Sequence, residues 1–190
     1  MIKAVIFDCF GVLTTDAWLP FKQSVFGHDP ELMEQATNLN RNSGRGLISY
    51  DDFLSSISAL SSIPAAEVRR AVETNIANQP LFRYIEELRK DYKIGLLSNA
   101  SGNRLFDIFD SGELAVFDEV VLSYEIGVIK PSPRAYEIIA ERLGLEVREC
   151  VLIDDQERNC VGAREAGMKA ILYRADVEEL RAELSRLLQK

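Results

Sequence analysis

The chain alternates between short apolar runs and amphipathic stretches of helical length. The first run, Lys3-Ala4-Val5-Ile6-Phe7, stops abruptly on Asp8, followed by Cys9, Phe10 and a turn at Gly11, the pattern of a buried strand ending on a carboxylate. Residues 17–79 then carry helical signals and no convincing strand. Within them, Ser49-Tyr50-Asp51-Asp52 reads as a capping box ahead of Phe53, Ile57 and Leu60, and Pro64 opens a stretch through Val68, Val72 and Ile76. Between α-helical segments, residues 40–46 have turn chemistry and two cations, Arg41 and Arg45, and are expected to form a solvated loop.

From Pro80 onward the alternation is regular. Leu81, Ile85 and Leu88 stripe a helix, and Lys93-Ile94-Gly95-Leu96-Leu97 runs as a buried strand into the polar pair Ser98-Asn99. A helix near residues 103–109 precedes the strand Glu119-Val120-Val121-Leu122-Ser123. Ser132-Pro133 starts a helix with Ala135, Ile138, Ile139 and Leu143 on its apolar face and Gly144 as its stop. Cys150-Val151-Leu152-Ile153 is another apolar strand, ending on Asp154-Asp155. A helix through Ala163 and Ala166 stops at Gly167, residues 170–173 form a last strand, and Asp176 caps a final helix carrying Leu180, Leu184 and Leu187.

Strands alternating with helices of this length predict an α/β fold, a doubly wound parallel sheet with right-handed crossovers. Residues 1–16 and 80–190 would form its core, with 17–79 an inserted helical unit. In such a sheet ligands bind outside the carboxyl ends of the strands. Asp8, Ser98-Asn99 and Asp154-Asp155 all stand at such ends, so residues remote in sequence are expected to meet in one crevice.

Composition narrows the partners. The 190 residues carry a formal charge of −8 without a compensating Lys/Arg block, which argues against nucleic acid or an anionic membrane as partner. No apolar run approaches the ~20 residues of a membrane span, and the first residues read as a core strand and not as a leader, so a cytoplasmic protein is expected. Cys9, Cys150 and Cys160 show no CxxC pairing and suit buried thiols. Strand alternation turns Cys9 away from the side of Asp8. His28, the single histidine, belongs to the polar turn His28-Asp29-Pro30.

A carboxylate placed to act as nucleophile, a hydroxyl with an amide, Lys130 before Pro131 and a carboxylate pair form a set that suits a phosphate ester. Attack by Asp8 on phosphorus must overcome anion repulsion, and a divalent metal held by hard oxygen ligands such as Asp8 and Asp155 screens it. Magnesium is the expected ion. Lys130 would neutralise remaining charge while Ser98 and Asn99 donate to the phosphoryl oxygens. Singly, Ser98-Asn99 also fits a helix cap, Lys130-Pro131 a surface turn and Asp154-Asp155 the start of a helix. Their joint occurrence at successive strand tips points to a site.

The segments Phe7-Asp8-Cys9-Phe10-Gly11-Val12-Leu13, Leu97-Ser98-Asn99, Lys130-Pro131 and Asp154-Asp155-Gln156-Glu157-Arg158-Asn159 resemble the four ordered motifs of the haloacid dehalogenase-like hydrolase superfamily. The likeness extends over essentially the whole chain. It is nearest in kind to the small phosphatase branch that includes glucose-1-phosphate phosphatases and the phosphatase domain of soluble epoxide hydrolase. The resemblance implies a Rossmann-like core with a helical cap that selects the substrate, a small phosphorylated metabolite. It further implies Asp8 as nucleophile through an aspartyl-phosphate, the Phe10 backbone carbonyl and Asp155 as magnesium ligands, and Asp154 as a further ligand or as a partner behind the ligands. Asn159 would order that loop, and Ser98, Asn99 and Lys130 would hold the phosphate.

Phe10 departs from the pattern, standing where most family phosphatases carry an Asp that protonates the leaving group. General acid/base help is worth ~10²–10⁴-fold, so the exchange should slow turnover without abolishing binding. Two alternatives follow: a haloacid dehalogenase, a subgroup with an aromatic residue at this position, and a non-catalytic protein that binds a phosphorylated metabolite. Asp16, the next carboxylate along the chain, is expected to be an exposed turn residue outside the site. Arg41 and Arg45 are candidates to face the pocket.

Overall fold

The computed structural model describes residues 1–188. Five parallel strands, β1 (Ala4–Phe7), β2 (Lys93–Ser98), β3 (Glu119–Leu122), β4 (Cys150–Asp154) and β5 (Lys169–Leu172), lie in the order β3-β2-β1-β4-β5. The predicted α/β class and parallel sheet are therefore present. β1 is the central strand, flanked by β2 on one side and β4 on the other, so the chain leaving β1 opens at the point where the strand order diverges.

Strand alternation builds two cores from one sheet. Val5, Phe7, Ile94, Leu96, Val151 and Ile153 turn to the face covered by α5 (Gln79–Leu88) and α11 (Val177–Leu188). Ala4, Ile6, Leu97, Cys150 and Leu152 turn to the opposite face, covered by α9 (Pro133–Arg142) and α10 (Glu157–Glu165). Both faces are buried, which is why these strands read as continuous apolar runs.

Helices α1 (Trp18–Phe26), α2 (Pro30–Gly44), α3 (Tyr50–Ser61) and α4 (Ala65–Val72) enclose a third core of Phe26, Ala36, Phe53, Leu54, Ile57, Val68 and Val72. Trp18 packs edge-on against Phe53 at 5.2 Å between ring centres. Among the described residues there are also the short helices α6 (Leu105–Ile108), α7 (Ser111–Leu114) and α8 (Ser123–Ile126) and a 3₁₀ turn at Val147–Glu149.

Several local expectations are revised. Residues 40–44 are not a loop; they form the last turn of α2, which Asp29 caps by accepting from the Glu31 and Leu32 amides. Its end, Ser43 and Gly44, is buried, and the Ser123 hydroxyl donates to the Gly44 carbonyl at 2.5 Å. Ile76 lies outside α4, is 67% exposed and sits where the chain re-enters the core. There the Ile76 carbonyl accepts from the Thr14 hydroxyl at 2.9 Å and Ala77 bridges Thr14. Ser49 does cap α3, accepting from the Asp52 amide at 3.1 Å, but the Asp52 carboxylate takes the Ser49 hydroxyl at 2.6 Å and leaves the backbone amide alone. Ser123 starts α8 instead of ending β3.

One buried hydrogen bond ties α9 to α10: the Tyr136 hydroxyl donates to the Asn159 carbonyl at 2.8 Å, with Tyr136 fully buried. Tyr136→Phe leaves that carbonyl unpaired and is expected to cost about 1–3 kcal/mol, read as a lower urea midpoint at unchanged slope.

Candidate active site

Register brings the first two carboxylates together. Phe7 pairs with Ile153 across β1 and β4, and the Asp8 amide donates to the Ile153 carbonyl at 2.9 Å. The next residues, Asp8 and Asp154, thus stand side by side at the strand ends, on the parity of Ala4, Ile6, Cys150 and Leu152. That face is covered by α9, and the loop leading into α9 carries Lys130. Its ammonium, with no exposed side-chain surface, lies 2.9 Å from Asp8 Oδ1 and 2.6 Å from Asp154 Oδ2.

Asn99 sets Lys130 in place. From the tip of β2 its side chain accepts from the Lys130 amide at 2.8 Å and donates to the Lys130 carbonyl at 3.0 Å. The Lys130–Pro131 peptide is cis. The amide of Asn99 is therefore engaged in holding the lysine's backbone.

The three carboxylates are not equivalent. Both oxygens of Asp154 are occupied: Oδ1 accepts from the Gln156 amide at 2.9 Å and Asn159 Nδ2 at 3.0 Å, and Oδ2 accepts from Lys130. Asp8 Oδ1 accepts from the Cys9 amide at 2.7 Å and from Lys130. Asp155 Oδ1 is buried with no hydrogen-bond partner among the described residues. Gly11 makes room for it: its φ is +87°, and a Cβ there would fall 2.3 Å from Asp155 Oδ2. Asp8, Asp154 and Asp155 each present an oxygen within 4.8 Å of the others.

Charge follows this geometry. Burial alone would discharge Lys130, but Asp154 and Asp8 outweigh it and hold its pKa above the usual lysine range. Burial would raise Asp154 too, yet Lys130 and the hydrogen bonds from Gln156 and Asn159 keep it below the ordinary carboxylate value. Asp8 keeps a raised pKa, because burial and the charge of Asp154 exceed what one shared lysine returns. Asp155 is pushed up to about 6 by burial and then by Asp154. Three carboxylates around one ammonium leave a deficit of positive charge, and an unpaired buried oxygen beside a glycine cradle fits a hard divalent cation.

A cavity opens in front of this cluster, between the sheet edge and α1, α2, α3 and α4. Asp8, Phe10 and Asn99 lie on its wall, as does Asp16. Asp16 is thus not outside the pocket; it is fixed there by capping α1, accepting from the Trp18 amide at 2.8 Å and the Leu19 amide at 3.2 Å. Arg41 and Arg45 are exposed and off the cavity wall, where Arg104 and Arg158 take the cationic positions. Arg104 follows a strand tip in the loop Ser101-Gly102-Asn103, a signal that turn chemistry concealed. Ser98 is fully buried, its Oγ has no partner among the described residues, and it lies behind the cavity wall on the parity of Ile94 and Leu96. Cys9 packs into that same core, with burial and then the Asp8 charge pushing its thiol up. His28 is exposed in its turn.

A carboxylate beside a buried lysine thus stands at the central strand tip of a doubly wound parallel sheet. The haloacid dehalogenase-like hydrolase profile matches residues 2–167, and the chain belongs to that family. The resemblance read from the four motifs is borne out. Phosphatase MT3486 of Mycobacterium tuberculosis (strain CDC 1551 / Oshkosh) is 31% identical over 193 residues, spanning 90% of this chain and 87% of the relative. A glyceraldehyde 3-phosphate phosphatase of Methanothermobacter thermautotrophicus is 33% identical over 92 residues, 47% of this chain and 41% of the relative. Among solved structures, the HAD family enzyme BT-2542 from Bacteroides thetaiotaomicron, in complex with magnesium and inorganic phosphate, superposes with a TM-score of 0.75. It is 24% identical and covers 95% of this chain and 99% of that one. The L-2-haloacid dehalogenase of Xanthobacter autotrophicus shares the fold with a TM-score of 0.66 at 22% identity, covering 98% and 83%.

Removing the Lys130 ammonium leaves two buried carboxylates facing each other. Lys130→Met is expected to cost about 3–5 kcal/mol of stability at neutral pH, measured by chemical denaturation, and to regain part of it in acid as the carboxylates protonate.

Proposed function

We propose that the chain is a magnesium-dependent phosphomonoesterase acting on a small phosphorylated metabolite. The observation that carries this reading is the division among the three carboxylates: Asp154 committed to Lys130, Asp8 at the cavity wall, and Asp155 with a buried, unclaimed oxygen. The phosphatase name of the Mycobacterium relative supports the same reaction class. No helix among the described residues is long and apolar enough to cross a membrane, and a small metabolite suits a cavity walled by the four helices of residues 17–79, which we take as the cap.

Asp8 and Asp155, with the Phe10 backbone carbonyl, would hold the cation, which screens the repulsion between carboxylate and phosphoryl oxygens. Asp8 attacks phosphorus, the bond from phosphorus to the ester oxygen breaks, and an aspartyl-phosphate forms. Lys130, held by Asn99 and Asp154, steadies the charge carried by the phosphoryl group and Asp8. Water then cleaves the acyl-phosphate and regenerates Asp8. Phe10 offers no proton to the leaving oxygen, so the first step depends on a leaving group that departs as an anion or takes its proton from water.

An aryl phosphate is therefore expected to release phosphate in magnesium, to stop doing so with chelator and to be inert to the Asp8→Asn variant. Chloride release from 2-chloropropionate in chelator would instead establish a dehalogenase. Phe10→Asp is expected to raise kcat on alkyl phosphates by ~10²-fold or more, and on aryl phosphates by much less, because only the alkyl leaving group needs the acid.

A further inference from the structure

Arg104 stands out among the cavity residues because its charge is placed and its donors are unused. The side chain is only 15% exposed. Its ion pairs run through Nε at 3.6 Å to Glu73 and 4.0 Å to Asp107, beyond hydrogen-bond distance. Among the described residues the guanidinium makes no hydrogen bond. The other cavity arginine, Arg158, differs: it is exposed and closes a fork on Gln156 Oε1 at 3.0 and 2.6 Å.

The surroundings orient the fork of Arg104 without occupying it. The Tyr50 ring lies beneath it at 5.6 Å, with Arg69 at the same distance from that ring. Glu73 gives Arg104 little, because its Oε1 also accepts from the Tyr50 hydroxyl and from Arg69 Nη1, both at 3.1 Å. A planar guanidinium with five donors, largely desolvated, stacked and lacking an acceptor, matches an oxyanion arriving in the cavity.

We infer that Arg104 is a specificity-determining residue that receives a second anionic group, at the end of the substrate remote from the phosphoryl group. The inference rests on the phosphatase reading for the other end of the molecule. The substrate is then a phosphomonoester of a small acid or a small bisphosphate, and neutral polyol or sugar phosphates are disfavoured. Arg104 and Tyr50 come from opposite walls, one from the loop after β2 and the other from α3, so the second anion is read only where the helical unit meets the sheet edge.

Calorimetric titration with phosphonates, whose carbon–phosphorus bond is not hydrolysed, tests this on the intact protein in magnesium. The matched pairs are ethylphosphonate with phosphonoacetate, propylphosphonate with 3-phosphonopropionate, and butylphosphonate with 4-phosphonobutyrate; propane-1,3-bisphosphonate distinguishes phosphate from carboxylate as the second anion. At least one charged ligand is expected to bind about tenfold or more tightly than its uncharged counterpart. Arg104→Ala and the milder Arg104→Gln should each erase that preference while leaving alkylphosphonate affinity within about twofold, and Arg104→Lys should keep part of it. The inference is overturned if no pair is discriminated, if the preference survives both neutral variants, or if they weaken both members equally, which would place Arg104 on the phosphoryl group. Failure of every alkylphosphonate to bind would refute the phosphatase reading itself, and the inference with it, because those ligands lack the second anion.

Discussion

A lysine ammonium with no exposed surface must find its counter-charge inside the protein, and Lys130 finds it in Asp8 and Asp154. The rest of the site is arranged around that contact. Parallel register sets the two carboxylates beside each other at the ends of β1 and β4, Asn99 grips the lysine's backbone from β2, and Asn159 at the start of α10 holds Asp154. Three strands and two helix connections thus meet on one buried charge. Such a cluster is weak as a source of stability, since desolvation offsets most of the attraction. Its value is geometric, because it fixes which carboxylate is tied and which is open.

Asp154 has four hydrogen bonds, one from Lys130, one from the Gln156 amide and two from Asn159 Nδ2, whereas Asp155 Oδ1 has none among the described residues. Asp155, its neighbour, points to the other side of the turn, where Gly11 leaves it room. The dipeptide therefore splits its work between two directions, as adjacent residues at a strand end do. Phe10 sits on the cavity wall, so in the proposed reaction the exchange at this position would bear on proton supply and not on charge placement.

Most of the sheet was legible in the sequence because both faces are buried and each strand is an unbroken apolar run, as in Val5-Ile6-Phe7 and Val151-Leu152-Ile153. The meeting of Asp8, Asn99 and Asp154 followed from strand-end topology, and the presence of Lys130 with them from the chemistry of the set and the order of the motifs. Other features were concealed for physical reasons. The last turn of α2 is written largely in Asn, Ser and Gly, and its end is met by a long-range partner, the Ser123 hydroxyl on the Gly44 carbonyl. Asp16 read as a turn residue, and Arg104, within the helix expected near residues 103–109, was not singled out, because their placement on the cavity wall depends on where the inserted helices fold back, a long-range fact without local periodicity. The same holds for Arg41, in the last turn of α2, and Arg45, just after it, both of which are exposed.

The unequal roles of Asp154 and Asp155 can be separated by two isosteric variants, each assayed for unfolding free energy without metal and for magnesium binding by calorimetry. Asp155→Asn is predicted to lose magnesium binding while stability holds or rises, since an unpartnered buried carboxylate is neutralised. Asp154→Asn is predicted to lose about 3–5 kcal/mol of stability as Lys130 keeps only one counter-charge. Asp155→Asn retaining full magnesium affinity, or Asp154→Asn as stable as the wild type, would contradict the account.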